Sequence, residues 1–144
     1  MTDFPDTDTL KAFNQAIVDE FRANDGKVEG QFSGADLLLL TTTGAKSGQT
    51  RLSPLAYLRI DGKLIIIGSF AGADFHPAWV HNLRADPSAH VEIGTESFDV
   101  TARELPPAER DAVFTKVTAA AAGFADYQAK TARVIPLFEL QRQS

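Results

Sequence analysis

Residues Leu37 to Ser69 read "LLLLTTTGAKSGQTRLSPLAYLRIDGKLIIIGS". The apolar run Leu37–Leu40, continuing through Thr41 to Thr43, predicts a buried strand, and Gly44 to Gly48 is the turn that ends it. Leu52 to Ile60 predicts a second strand. At a period of two, Arg51, Ser53, Leu55, Tyr57 and Arg59 share one face, and Leu52, Pro54, Ala56, Leu58 and Ile60 share the other. Asp61-Gly62 is a hairpin turn of the kind that favours positive φ. It leads into the apolar strand Leu64 to Ser69, so the last two strands pair antiparallel. Three strands joined by short turns point away from a doubly wound parallel sheet.

Upstream, Thr7 or Asp8 can cap a helix of about four turns in which Leu10, Phe13, Ile17 and Phe21 fall at helical spacing, with Asp25-Gly26 as the stop. Packing of this helix on the core is one reading; resting on a membrane surface or covering a pocket is the other, although its polar face is mixed rather than basic. Downstream, His76-Pro77 begins a short helix, with the proline expected at the first helical position where its missing N–H costs nothing, and Asp86-Pro87 closes it; Trp79 and Leu83 share one face. Ala89, Val91 and Ile93 alternate with His90 and Glu92. After Gly94-Thr95-Glu96, Phe98, Val100 and Ala102 alternate with Asp99, Thr101 and Arg103, which predicts a second, half-buried hairpin. Pro106-Pro107 opens a helix running through Ala119–Ala122 to Gly123, and a shorter helical piece carries Phe124 and Tyr127. Val134 to Leu140 closes the chain as a strand, with Pro136 arguing for an edge position. The sum is an α+β fold of about six mostly antiparallel strands curled into a small barrel with flanking helices. At 144 residues, 44% hydrophobic and 23% charged, without repeats or linkers, residues 1–144 are expected to form a single domain, with 1–26 as the N-terminal amphipathic helix.

Composition removes several chemistries. With no cysteine, disulfides, thiolate nucleophiles, iron–sulfur clusters and cysteine-ligated zinc are excluded. His76, His81 and His90 have no ligand-like spacing, so no metal is expected. The acidic N-terminus "MTDFPDTDTLKAF" lacks a signal peptide's basic and apolar regions, and no apolar stretch approaches the roughly 20 residues of a membrane span. The expected location is the cytoplasm, with peripheral membrane contact left open. A net charge of −5 argues against nucleic acid as a partner.

That net charge does not govern one site. From Leu37 to Ile60 there is no Asp or Glu, while Lys46, Arg51 and Arg59 fall inside the window. Over a Debye length of about 8 Å, acids elsewhere on the surface are largely screened. The glycines let backbone N–H groups converge, Ser47 adds a hydroxyl, and Lys46 and Arg51 add charge, so the turn suits an anion. A solvated basic hairpin turn is the competing account. The turn is no Walker loop, since Lys46-Ser47 lies between the glycines and a strand follows, and no nucleophile elbow. Trp79 is read as a core anchor or a cofactor contact. Tyr57 and Tyr127 are the only tyrosines, so any phenolic proton donor is one of them.

Taken together, the stretch from Leu37 to Ser69, then "PAWVHNL" and "DP", "TAR" and "DYQ" resemble the deazaflavin-dependent nitroreductase family, split β-barrel oxidoreductases that use coenzyme F-420. The likeness runs from about Leu37 to the C-terminus. It implies a split β-barrel and an 8-hydroxy-5-deazaflavin cofactor with a ribityl phosphate and a polyglutamate tail. It further implies that Lys46, Ser47 and Arg51 bind the phosphate and that Gly48 admits it closely. Pro54, Leu55, Ile67, Gly68 and Ser69 would line the ring's slot, with Trp79 and Asn82 closing its far side. The implied reaction is hydride transfer from C5 of the reduced deazaflavin to a small electron acceptor: a quinone, an activated alkene or a nitroaromatic. Ser69 would hydrogen-bond the ring or the acceptor oxygen, and Tyr127 would cover the acceptor or deliver a proton.

This chain departs from the nitroreducing members at three positions. Phe124 and Ala121 stand where those carry tyrosines, and Phe70 where a lysine is common after the equivalent of Ser69. Fewer hydroxyls and one fewer cation favour a more apolar acceptor such as a quinone. A related split-barrel protein using FMN shares the ribityl phosphate, so the turn does not separate the two cofactors, and a carrier of cofactor or lipid without turnover is a third possibility. Split-barrel relatives often dimerise, so both monomer and homodimer stay open.

Overall fold

The computed structural model describes residues 7–24, 37–69 and 76–143, with side chains from residue 15 onward. The expected Asp25-Gly26 stop, Phe70 and the side chains of Leu10 and Phe13 lie outside the described residues. The elements are α1 (Thr7–Ala23), β1 (Leu37–Thr43), β2 (Thr50–Ile60), β3 (Lys63–Ile67), α2 (Ala78–Ala85), β4 (Ser88–Ile93), β5 (Glu96–Glu104), α3 (Pro107–Ala120), α4 (Gly123–Ala129) and β6 (Leu137–Arg142).

The strands close into a barrel in the order β1-β2-β3-β6-β5-β4, with β4 returning to β1. Every pairing is antiparallel. The two-residue turns are built from residues that tolerate left-handed backbone: Asp61 at φ 53° and Gly62 at 79° between β2 and β3, Gly94 at 59° between β4 and β5. Both expected hairpins are present.

Side-chain alternation sorts the apolar residues between the inside of the barrel and its helix-covered outside. Leu38, Leu40, Leu64, Ile66, Val91 and Val100 point inward, and α2 adds Trp79, Val80 and Leu83 to the same core. On the outside, Leu37, Leu39 and the partly buried Leu52 pack against Ile17, Val18 and Phe21 of α1. Ile60, Ile65 and Ile67 pack with Val117 of α3 and Ile135. Leu37 to Leu40 are therefore all buried, two on each face. Each such side chain contributes about 1.5–3 kcal/mol, which is why an unbroken leucine run is stable here as strand. Arg22 fixes the end of α1 to β4 through a fork on Glu92 at 2.8 and 3.2 Å.

Two expectations need correction. Pro136 does not mark an edge strand: β6 starts at Leu137 and pairs on both sides, with β3 and with β5. Pro136 sits just before the ladder, where its missing N–H is not called on, while its carbonyl accepts from the N–H of Gly68 at 2.9 Å. Pro77 is the N-cap of α2, in extended backbone, rather than its first helical residue. Pro107 does occupy the start of α3, which ends at Ala120 ahead of α4.

Candidate functional site

The turn between β1 and β2 is held from within and from behind. Thr43 pairs with Thr50 at its base. Gly44 N–H donates to the Gln49 carbonyl at 2.8 Å, and Gly48 N–H donates to the Gly44 carbonyl at 2.9 Å. Gln49 N–H donates to Ser47 Oγ at 3.1 Å. Behind the turn, Asn82 of α2 accepts the Ala45 N–H on Oδ1 at 2.9 Å and donates from Nδ2 to Thr42 Oγ1 at 3.1 Å. Asn82 and Thr42 are both buried, so this anchor is shielded from water.

What the turn leaves over is a set of donors. The main-chain N–H groups of Lys46 and Ser47 make no hydrogen bond among the described residues, and the Ser47 hydroxyl, already accepting, keeps its proton to donate. Lys46 and Arg51 are exposed and have no carboxylate partner among the described residues. Gly48 stands at φ +71°, and a Cβ there would meet nothing within 4 Å, so backbone conformation rather than space demands glycine. Two amides, a hydroxyl, an ammonium and a guanidinium on one hairpin turn fit a phosphate group. Beside the turn, an open furrow of about 310 Å³ runs over Thr41, Thr43, Thr50, Ser88, His90 and Asp99. Its lining includes no Lys or Arg, so the local positive charge stays with the turn.

The other residues singled out from the sequence lie on neighbouring elements. Pro54 and Leu55 are on β2 opposite Leu39 and Leu38, and Leu55 packs on the barrel core. Trp79 lies in that core, edge-on to Phe138 at 5.7 Å between ring centroids. Ile67 ends β3 and packs outward under α3. Gly68 and Ser69 follow it and are buried. Gly68 is confined by close packing, since a Cβ would come within 2.9 Å of Val80 Cγ2 and Pro136 Cγ. Tyr127 sits on α4, edge-on to Phe124 at 5.8 Å, against the outer core. The structure thus joins Asn82 directly to the turn and leaves Tyr127 in a separate cluster under α3 and α4. Among the described residues, no three His, Asp or Glu side chains are grouped to hold a metal.

Arg133 is absent from the residues that the sequence singles out; Gln128 enters there only as the last residue of the "DYQ" stretch, and His76 only as a helix start and a rejected metal ligand. Arg133 Nη1 donates to the Gly68 carbonyl at 3.0 Å and Nη2 to the Ser69 carbonyl at 2.8 Å. Nη1 also lies 2.9 Å from His76 Nδ1. A guanidinium has no lone pair to offer, so His76 accepts and is neutral, with its proton on Nε2. Burial, reinforced by Arg84 and Arg133, holds the His76 imidazole below the usual histidine range.

Comparison with known proteins gives this geometry its family. The family model described as F420H(2)-dependent quinone reductase matches residues 14–141. The chain belongs to the F420H(2)-dependent quinone reductase family. An F420H(2)-dependent quinone reductase of Mycobacterium tuberculosis is 35% identical over 127 residues, covering 85% of each chain. Among solved structures, an F420-H2 dependent reductase, FDR-A, superposes with a TM-score of 0.65 at 39% identity, covering 74% of this chain and 94% of its own. A structure described as a domain-swapped dimer superposes with a TM-score of 0.67 at 35% identity, covering 94% and 98%. As a member of this family the chain is an oxidoreductase that takes hydride from reduced coenzyme F-420 to quinone-type acceptors. The expected recognition, split-barrel fold, cofactor and reaction class all hold. Among the described residues no helix is long and apolar enough to cross a membrane.

Proposed function

We propose that the hairpin turn is the cofactor's phosphate site, with Lys46, Ser47 and Arg51 as ligands and Gly48 as the point of close approach. The observation that carries this is the surplus of donors on a turn whose own hydrogen bonds are already made. Pro54, Leu55, Ile67, Gly68 and Ser69 line the ring slot in this reading. Trp79 and Asn82 bound it from α2, Asn82 through the turn it anchors. Bound there, reduced F-420 supplies the hydride that reduces the acceptor.

The chain's own part is orientation and proton handling. Ser69, buried at the end of β3, offers a hydroxyl to the ring or to the acceptor oxygen. Tyr127, half-buried on α4, covers the acceptor and delivers a proton or lets water do so. Phe124 beside it and Ala121 just before α4 present no hydroxyl, which suits an apolar quinone better than a nitroimidazole. The whole chain acts as a single cytoplasmic domain, monomeric or as a homodimer, and a lipid quinone would bring α1 to the membrane surface.

The test is a fluorescence titration of the protein with oxidised F-420 and, separately, with FMN. Charge-assisted hydrogen bonds are worth about 1.5–3 kcal/mol each, so Lys46→Ala with Arg51→Ala should raise the F-420 Kd by about a hundredfold or more. An unchanged Kd in that double variant would remove the turn from the site. Preference for FMN would keep the fold and overturn the cofactor.

A further inference from the structure

Three segments of the proposed site converge on one side chain that no local motif announces. Arg133, in the stretch between α4 and β6, reaches the two carbonyls that follow β3 and the imidazole that precedes α2. Successive carbonyls of an extended strand point to opposite sides, so one guanidinium bonding both Gly68 and Ser69 requires that the chain leave the pleat there. The fork therefore defines where β3 stops and how Ser69 is presented. At the other end, the Arg133 carbonyl accepts from Gln128 Nε2 at 2.7 Å. Gln128 Oε1 accepts from the Ile135 N–H at 3.0 Å and from Arg110 Nη2 at 2.7 Å. Gln128 adjoins Tyr127 on α4, so side chain and main chain of a single residue tie together the β3 exit, the start of α2 and the helix that carries Tyr127.

We propose that Arg133 is a positioning residue of the reductase site, its planar fork fixing Gly68–Ser69 against α2 while its carbonyl, through Gln128, fixes α4. The proposal rests on the reading that the deazaflavin ring lies beside Gly68 and Ser69. It uses what distinguishes arginine from lysine: several donors in one rigid plane, matched here to two carbonyls and a ring nitrogen.

The clamp is also sensitive to protonation at His76. Among the described residues that imidazole faces Arg133, Arg84 and His81, the last edge-on at 5.7 Å, and one carboxylate, Glu104, which Arg84 already engages at 2.8 Å through Nε and Nη2. A proton placed on Nδ1 would set two cations against each other and release the contact that ties the guanidinium to the start of α2.

The experiment titrates Arg133→Gln and Arg133→Lys with oxidised F-420, measures turnover of reduced F-420 with a soluble naphthoquinone, and follows the His76 ring by NMR in cofactor-free protein across pH. Loss of the fork in Arg133→Gln should raise the F-420 Kd about tenfold and lower kcat by a similar factor, with the quinone KM within about twofold. In the same variant the His76 titration should move to higher pH, because a facing cation has gone. Arg133→Lys should fall between the Gln variant and wild type. Kd and kcat in the Gln variant within about twofold of wild type would overturn the proposal. Should that variant fail to fold, a Lys variant indistinguishable from wild type would overturn it equally. Wild type that binds no F-420 would remove the cofactor reading and this inference with it; wild type that binds, with an indifferent Gln variant, removes this inference alone.

Discussion

The two ends of the proposed site are built on opposite plans. The phosphate site is eight consecutive residues, the turn from Gly44 to Gln49 and the first two of β2, exposed at its tip; the turn is made almost wholly of its own hydrogen bonds, with Asn82 as its tether from another element. The Arg133 junction is assembled from residues 68, 69, 76, 128 and 133, and its bonds run largely to carbonyl oxygens. The first is a motif and the second is a crossing point. A motif can lose a side chain and keep its shape, whereas a crossing point loses shape and function together.

That contrast can be broken by measurement. The largest expected effect is the hundredfold or greater loss of F-420 affinity in the Lys46/Arg51 double alanine variant, and the comparison requires its thermal stability to stay close to wild type, since neither side chain holds the fold. A large fall in Tm would mean that the turn is structural after all. Arg133→Gln, with its tenfold effect on binding, should by contrast also lower Tm.

Gly68→Ala probes the crossing point from the backbone side. Its new methyl would overlap Val80 and Pro136, and overpacking of this kind costs about 1–3 kcal/mol, read as a lower urea midpoint with the slope unchanged. Asn82→Ala probes the tether: it strands the Ala45 N–H and the buried Thr42 hydroxyl, for about 1–3 kcal/mol of stability. It should also weaken F-420 binding by loosening the turn. Equal Kd in Asn82→Ala and wild type would show that the turn holds its shape unaided.

The smallest effect is on pH. His76 binds its proton less readily in the folded chain than in the unfolded one, so protonation favours unfolding. Its contribution to stability is complete above the ordinary imidazole pKa of about 6.5 and is lost as pH falls from there toward the lowered value. Urea unfolding at a series of pH values should show this acid-side decline, and His76→Gln should flatten it. No decline in wild type would mean that Arg133 keeps its hold on a charged ring.

The same contrast explains what was legible beforehand. Hairpins announce themselves through adjacent residues, so the three strands from Leu37 to Ile67 and the Gly94 turn could be read from alternation and positive-φ residues alone. The anion turn was legible for the same reason, since its cations, hydroxyl and glycines are contiguous. Pro136 misled because a proline inside an apolar run says only that one N–H is missing; where the ladder begins depends on the partner strands, and here it begins one residue later, between two neighbours. Arg133 gave no signal at all. It lies among residues of irregular structure and recognises main-chain oxygens, which every residue has, so nothing in the sequence at positions 68 and 69 points back to it. Asn82 was selected through family resemblance as a wall of the slot; its bonds to Ala45 and Thr42 make it the anchor of the turn, a role that only the barrel's closure brings about.

Closure itself is uneven. The β1–β4 ladder registers three residue pairs, Leu39 to Thr41 against Glu92 to His90, where β1–β2 registers seven and β4–β5 six. A cylinder parts most readily along its shortest row of bonds, so the amides of this row should exchange with solvent deuterium before those of the hairpins on either side. Parting there would uncover two complementary strand edges at once. Each is already shaped to receive the other, so trading them with a second copy would sacrifice fewer hydrogen bonds than opening the cylinder at either hairpin.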